Sequence, residues 1–164
     1  MNGIAGSGAR AKMVELIRKI RVGLLTTVDH SGRFHTRPLQ TLQVEHDLTL
    51  WFFTDWNSPK VSEVETDTRV SVGYSDPANN LYVAVTGTAT LLRDSGKAKR
   101  LWRLEQRAYY PRGPDDRRLA LLRIRVERVE CWIAPGRVAH LLAAARALFS
   151  GKPAEIVGKY LRIE

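Results

Sequence analysis

A mainly β domain with flanking helices, its antiparallel strands curled into a small barrel, is the architecture this chain of 164 residues predicts. Runs of β-branched and aromatic residues, LLTTV, LTLWFFT, RVSVGY and YVAVTGTATLL, recur between clusters of turn-forming residues, the pattern of a meander. These strands do not alternate with helices, which argues against a doubly wound parallel sheet. The length suits one domain spanning 1–164, since a chain of this size buries roughly two-thirds of the surface it exposes when unfolded and needs no staples. The one cysteine, Cys131, has no intrachain partner, which fits a reducing, cytoplasmic setting.

Residues 1–12 read as a flexible tail, without the apolar run of a signal peptide. Met13, Leu16, Ile17 and Ile20 then fall at helical spacing on one stripe. The period changes at Gly23: a strand, a turn at Asp29 to Gly32, a long strand from Phe34 to about Val44, a turn at Glu45 to Asp47, and the strand LTLWFFT. Ser58 suits a helix N-cap and Pro59 a first helical position, so a short helix follows. Val70, Val72 and Tyr74 alternate on the next strand. On the one from Leu81 to Leu92, Leu81, Val83, Val85, Ala89 and Leu91 share a face that Gly87 interrupts, as at a bulge or barrel bend. Residues 95–110 read as a helix with Leu101, Trp102, Leu104 and Ala108 inward. In the last strand Leu122, Ile124 and Val126 are out of phase with Val129 and Cys131, and a bulge near Glu127 or Arg128 accounts for the slip. An Ala-rich helix from Val138 to Phe149 and a short tail complete residues 137–164.

The net charge is +9. Residues 93–137 hold 13 Lys and Arg against 6 Asp and Glu, with Trp102, Tyr109 and Tyr110 among them. Such a segment suits nucleic-acid binding, a solvated exterior, or attraction of small phosphorylated ligands. Much of the charge alternates with core residues, as at Arg123 and Arg125, so nucleic-acid binding ranks lowest. No stretch reaches the roughly 18 apolar residues of a membrane span. The glycines of GIAGSG follow no strand and make no dinucleotide fingerprint. His30 and His35 have no third ligand at a metal-site spacing, so no metal is expected, and no local hydrolase signature is present.

Two places point to an anion. Lys60 in the first turn of a helix opposes the macrodipole unless an anion binds there, and free backbone N–H groups, the Ser58 hydroxyl and the Lys60 charge together make a phosphate cradle. An ordinary capped helix with its lysine in water is the simpler alternative. Arg37 precedes Pro38 in mid-strand, where a missing N–H marks an edge, a bulge or a ligand; Arg37 there pairs with a phosphate or serves as a solvated edge charge.

Taken with Trp132, these sites resemble the pyridoxamine 5'-phosphate oxidase-like superfamily of flavin-binding split barrels, and in particular its bacterial general stress protein branch. The likeness runs through GLLTTVDHSGRFHTRPL, LTLWFFTDWNSPKVSEVETDTRVSVGY, YVAVTGTATL and VERVECW, an ordered set at family-like spacing. It implies a six-stranded antiparallel split β-barrel that binds flavin mononucleotide (FMN), with FAD as the alternative. Arg37, Ser58 and Lys60 would hold the FMN phosphate; Pro38, Leu39 and Gln40, with Phe53 and Thr54, would border the flavin ring and ribityl chain. Trp132 would reach a flavin held mainly by the partner subunit of a homodimer with its sites at the interface.

The departures bear on activity. Leu42 stands where the true oxidases carry a substrate lysine, Tyr82 where they carry a flavin-contacting glutamine, and their Arg-x-His element is not evident in residues 134–141. Vitamin B6 oxidation is therefore not expected. The leading expectation is an FMN-dependent oxidoreductase of the general stress type, working with a small-molecule electron donor or acceptor and with no catalytic side chain assigned; a non-enzymatic flavin carrier in the stress response is the alternative.

Overall fold

The computed structural model describes residues 7–133 and 159–163. Its helices are α1 (Ser7–Ile20), α2 (Pro59–Thr66) and α3 (Ser95–Leu101). Its strands are β1 (Val22–Val28), β2 (Phe34–Gln40), β3 (Gln43–Val44), β4 (Leu50–Asp55), β5 (Arg69–Asp76), β6 (Leu81–Leu92), β7 (Leu119–Ile133) and β8 (Lys159–Ile163). They form one antiparallel sheet in the order β2-β1-β5-β6-β7-β4-β3, with β8 added alongside β7. Helix α1 begins at Ser7, so residues 7–12 are helical and not part of a flexible tail. The expected helix over 138–149 lies outside the described residues. Among the described residues no helix is long and apolar enough to cross a membrane.

The strand expected over 34–44 breaks at Thr41 and Leu42, and the break closes the barrel. The Thr41 amide donates to the Arg21 carbonyl at 2.7 Å, on the β1 side, while the Leu42 amide donates to the Trp51 carbonyl of β4 at 2.8 Å. Consecutive residues thus bond to opposite ends of the sheet order. With β2 and β3 counted as one bent strand, the six expected strands are present, and β8 extends them.

The expected phase slip is a bulge. Thr86 pairs with Arg128 and Gly87 with Val126, leaving Glu127 as the extra residue of β7. The core fills the barrel: Met13 and Ile17 of α1 are fully buried with Leu25, Phe52, Val72, Val85, Leu122 and Val129, each apolar side chain stabilising by about 1.5–3 kcal/mol through burial. Cys131 belongs to this core, and burial pushes its thiol up to about 11, the setting of an inert structural cysteine.

A second apolar cluster lies outside the barrel, where Trp51, Phe53, Leu119 and Leu121 meet Ala98, Leu101 and Tyr110. It overrides the expected helix over 95–110. Helix α3 stops at Leu101, Trp102 turns extended to pack on Phe53 with ring centroids 6.0 Å apart, and Leu104–Ala108 continues as a 3-10 turn. Gln106 and Tyr110 therefore face inward, whereas Leu104 and Ala108 are exposed.

Candidate functional site

The crossover that closes the barrel also leaves a cleft of about 630 Å3, lined by Pro38 to Gln40 and Leu42 on one side and by Phe53, Thr54, Asp55 and Lys60 on another. Residues of the turn over 105–110 cover it. The volume lies within the range of about 300–1,000 Å3 common for small-molecule sites. Pro38 lies on β2, an end strand of the sheet order, and pairs with Leu24 of β1; a residue without an N–H is tolerated at such a position. Phe53 and Tyr110 meet edge to face at 6.4 Å to make an aromatic wall. Burial, helped by Asp55, pushes the Tyr110 hydroxyl up to about 12, so it stays protonated.

Charge in the cleft is asymmetric. Glu105 accepts from Gln40 Nε2 at 3.0 Å and Arg21 Nη2 at 3.2 Å; Asp55 accepts from the Asn57 amide at 2.8 Å and lies 3.6 Å from Arg118 Nη1. Lys60 has no carboxylate within ion-pair distance among the described residues; its ammonium donates to the Ser58 hydroxyl at 3.0 Å. Burial, and next the charge of Arg37, hold Lys60 below the ordinary lysine range. The cation of the cleft is thus half-buried and, among the described residues, without an ion-pair partner, an arrangement that favours an anion.

Ser58 precedes α2 as expected, yet its side chain does not cap the helix. The hydroxyl donates to the Asp55 carbonyl at 2.6 Å and lies 3.3 Å from Thr54 Oγ1, which ties the end of β4 to the start of α2.

Arg37 is placed beside the cleft and not in its lining. Its Nη2 donates to Glu63 Oε2 at 2.7 Å and its Nη1 to the Thr27 hydroxyl, which in turn donates to Glu63. His35 Nδ1 lies 2.8 Å from Glu63 Oε1, and His35 Nε2 lies 3.4 Å from Asp29 Oδ2. Glu63 is buried. Burial would raise its pKa, but the bonds from Thr27, Arg37 and His35 outweigh that and hold it below the usual carboxylate range.

Sequence reasoning did not find Glu63, which sits between the apolar Val61 and Val64 with nothing local to mark it as buried. The available signal was Arg37 itself, since a charge in a barrel wall calls for an opposite one.

The structure brings six of the nine expected residues, Pro38, Leu39, Gln40, Phe53, Thr54 and Lys60, to one cleft. Ser58 is bonded to it through Lys60. Trp132 is elsewhere: it lies on the outer face of the sheet in register with Tyr82 of β6 and Tyr160 of β8, its ring tilted against that of Tyr160 with centroids 5.6 Å apart. Val22, Leu24, Tyr82, Trp132 and Tyr160 are all exposed. Several charges of the basic segment have local partners: Lys97 with Glu45 at 2.8 Å, Lys99 with Asp115 at 3.1 Å, and Arg93 stacked on Trp56 at 4.3 Å.

Residues 8–155 match the family profile described as pyridoxamine 5'-phosphate oxidase like. Among solved structures, a protein assigned as general stress protein 26 from Jannaschia sp. CCS1 superposes with a TM-score of 0.75 at 19% identity, over 96% of this chain and 99% of that one. General stress protein 26 from Bacillus anthracis str. Sterne gives 0.67 at 23% identity, over 74% of this chain and 92% of that one. The general stress FMN/FAD binding protein from Xanthomonas citri gives 0.66 at 26% identity, over 78% of this chain and 90% of that one. No curated protein matches the chain at significance.

Proposed function

Since the chain belongs to the pyridoxamine 5'-phosphate oxidase-like family, we propose that its cleft binds a flavin, FMN in preference to FAD, and that the protein is a general-stress-type flavoprotein with redox activity toward a small molecule. The observation that carries this reading is the half-buried Lys60 ammonium, bonded to the Ser58 hydroxyl and, among the described residues, to no carboxylate, in the lining of a cleft walled by Pro38 to Gln40, Phe53 and Thr54. The residues fit the group. Lys60 would hold the phosphate, joined by the Ser58 hydroxyl on turning from the Asp55 carbonyl, with Arg37 adjoining; the backbone of β2 and the side chains of Phe53 and Thr54 would flank the ring and ribityl chain. The general stress protein from Xanthomonas citri, which bears the name FMN/FAD binding protein, supports the cofactor class.

Bound flavin would supply electron transfer, and the protein would supply position, exclusion of water and a fixed positive charge at the phosphate. Leu42 lines the cleft, an apolar group where the true oxidases are expected to hold a substrate lysine, so the proposed chemistry is not vitamin B6 oxidation.

The proposal includes a two-fold dimer. The exposed apolar face of Val22, Leu24, Tyr82, Trp132 and Tyr160 suits burial against a second copy, and Trp132 would then reach the partner's flavin. A cytoplasmic setting, small-molecule electron partners and no role for nucleic acid complete the reading.

The test is the visible absorption spectrum of the purified protein, followed by FMN titration monitored through tryptophan fluorescence. A flavin spectrum or saturable quenching is expected; a colourless protein that excess FMN does not quench would sink the proposal. Oxidation of NADH or NADPH above the rate of free flavin separates an oxidoreductase from a carrier.

A further inference from the structure

The buried Glu63 is not explained by the fold alone. Its position in α2 needs no charge, and a buried carboxylate is costly unless paired. Glu63 takes up the Nη2 edge of Arg37 at 2.7 Å and shares Thr27 with its Nη1. It also offsets the Arg37 charge, one of the two main influences that lower the pKa of Lys60. Without Glu63, the Arg37 charge would stand unpaired beside the Lys60 site; with it, that charge is offset.

Resting on the flavin reading above, we infer that Glu63 is a positioning residue: it draws Arg37 into the barrel wall, neutralises it, and so leaves the phosphate subsite to the single charge of Lys60. The ligand class is a phosphorylated flavin held with moderated affinity and free to exchange. His35 and Asp29 extend the same network to the surface turn, His35 bonding Glu63 at 2.8 Å through Nδ1.

Glu63→Gln isolates the charge. The glutamine oxygen can still accept from Thr27 and Arg37, and its amide can donate to His35 Nδ1, so the hydrogen bonds survive. The readout is the ratio of the FMN and riboflavin dissociation constants, which isolates the phosphate and does not follow a general loss of structure. E63Q is expected to tighten FMN by about tenfold with riboflavin little changed, because a negative charge near a dianion has been removed. R37Q, with Glu63 left alone, is expected to weaken FMN selectively.

The double variant R37Q/E63Q leaves no unpaired buried charge and keeps the test alive if E63Q does not fold; its preference for FMN over riboflavin is expected to exceed that of R37Q. If E63Q leaves that preference at or below the wild-type value, or the double variant does not exceed R37Q, the role of Glu63 is overturned while the flavin reading stands. Wild-type protein that binds neither flavin overturns both.

Discussion

The Lys60 ammonium stands 3.0 Å from the Ser58 hydroxyl, and that hydroxyl has its own proton directed at the Asp55 carbonyl 2.6 Å away. Of the three donors of a lysine ammonium, the described residues engage one, at Ser58, and the geometry suits an anion in the cleft for the others. Lys60→Ala is therefore expected to weaken FMN by about 1.5–3 kcal/mol through loss of a charge-assisted contact, with little change in thermal stability. Isothermal titration with FMN and with riboflavin checks it; equal losses for both flavins would remove Lys60 from the phosphate site.

Lys60 also sets a pH dependence. Burial first, and the Arg37 charge next, place its folded pKa below the ordinary 10.5, against smaller opposing effects of Asp55 and Glu63. The unfolded chain therefore binds more protons at this site, and the contribution of Lys60 to stability rises with pH between its lowered value and the ordinary one. A bound phosphate acts in the opposite sense by favouring the ammonium. FMN affinity is expected to fall as alkaline pH deprotonates Lys60, and Lys60→Ala to flatten that fall; a fall of the same size in wild type and Lys60→Ala would contradict it.

Arg37→Ala is expected to cost fold stability as well as affinity. The Glu63 side chain is 6% exposed and pairs with the Arg37 guanidinium, so truncation leaves a buried carboxylate under-compensated, at a cost of about 3 kcal/mol, the low end for a broken buried pair because Thr27 and His35 still bond it. Because the folded pKa of Glu63 is depressed, the stability it provides is full above the ordinary carboxylate range and is lost as pH falls through the folded value. Urea unfolding at neutral and acid pH measures both effects. Glu63→Gln should reduce the acid-side loss, and an Arg37→Ala protein as stable as wild type would refute the pairing argument.

Gly87 faces the bulge on β7 so closely that a Cβ there would lie 2.1 Å from the Arg125 carbonyl oxygen. The obstacle is backbone, held by the ladder on both sides, and cannot swing away as a side chain would. Gly87→Ala is expected to lose about 2–3 kcal/mol by overpacking, whereas Gly73→Ala, with nothing within 4 Å of the added carbon, should lose far less. Paired denaturation curves compare them; equal losses would show that the bulge relaxes.

Leu24 is about half exposed on the outer face that carries Tyr82 and Trp132. If a second copy covers this face, Leu24→Asp places a charge in a buried apolar contact and shifts the sedimentation coefficient from dimer to monomer with little effect on the barrel core. A wild-type monomer at micromolar concentration would remove the dimer from the proposal.

The alternation on β6, the stripe of Met13 and Ile17 and a bulge near Glu127 or Arg128 were legible in the chain itself, because each is a relation between residues a few positions apart; Pro38 left an edge, a bulge and a ligand open, and its place on an end strand came from the sheet order. Period and phase decide which side chains share a face, and a local slip in phase has one cheap remedy, an extra residue in the strand. The candidate phosphate residues Ser58 and Lys60 were legible for the same reason, lying together at a helix start. Only the tertiary structure decided that Thr41 and Leu42 bond to opposite ends of the sheet, that the helix over 95–110 breaks so that Trp102 can pack on Phe53, that Arg37 is held by Glu63, and that Trp132 lies away from its own chain's cleft. Each of these joins segments distant in sequence, where packing and the pairing of buried charges outweigh local preference, and no window of neighbouring residues contains both halves of the contact.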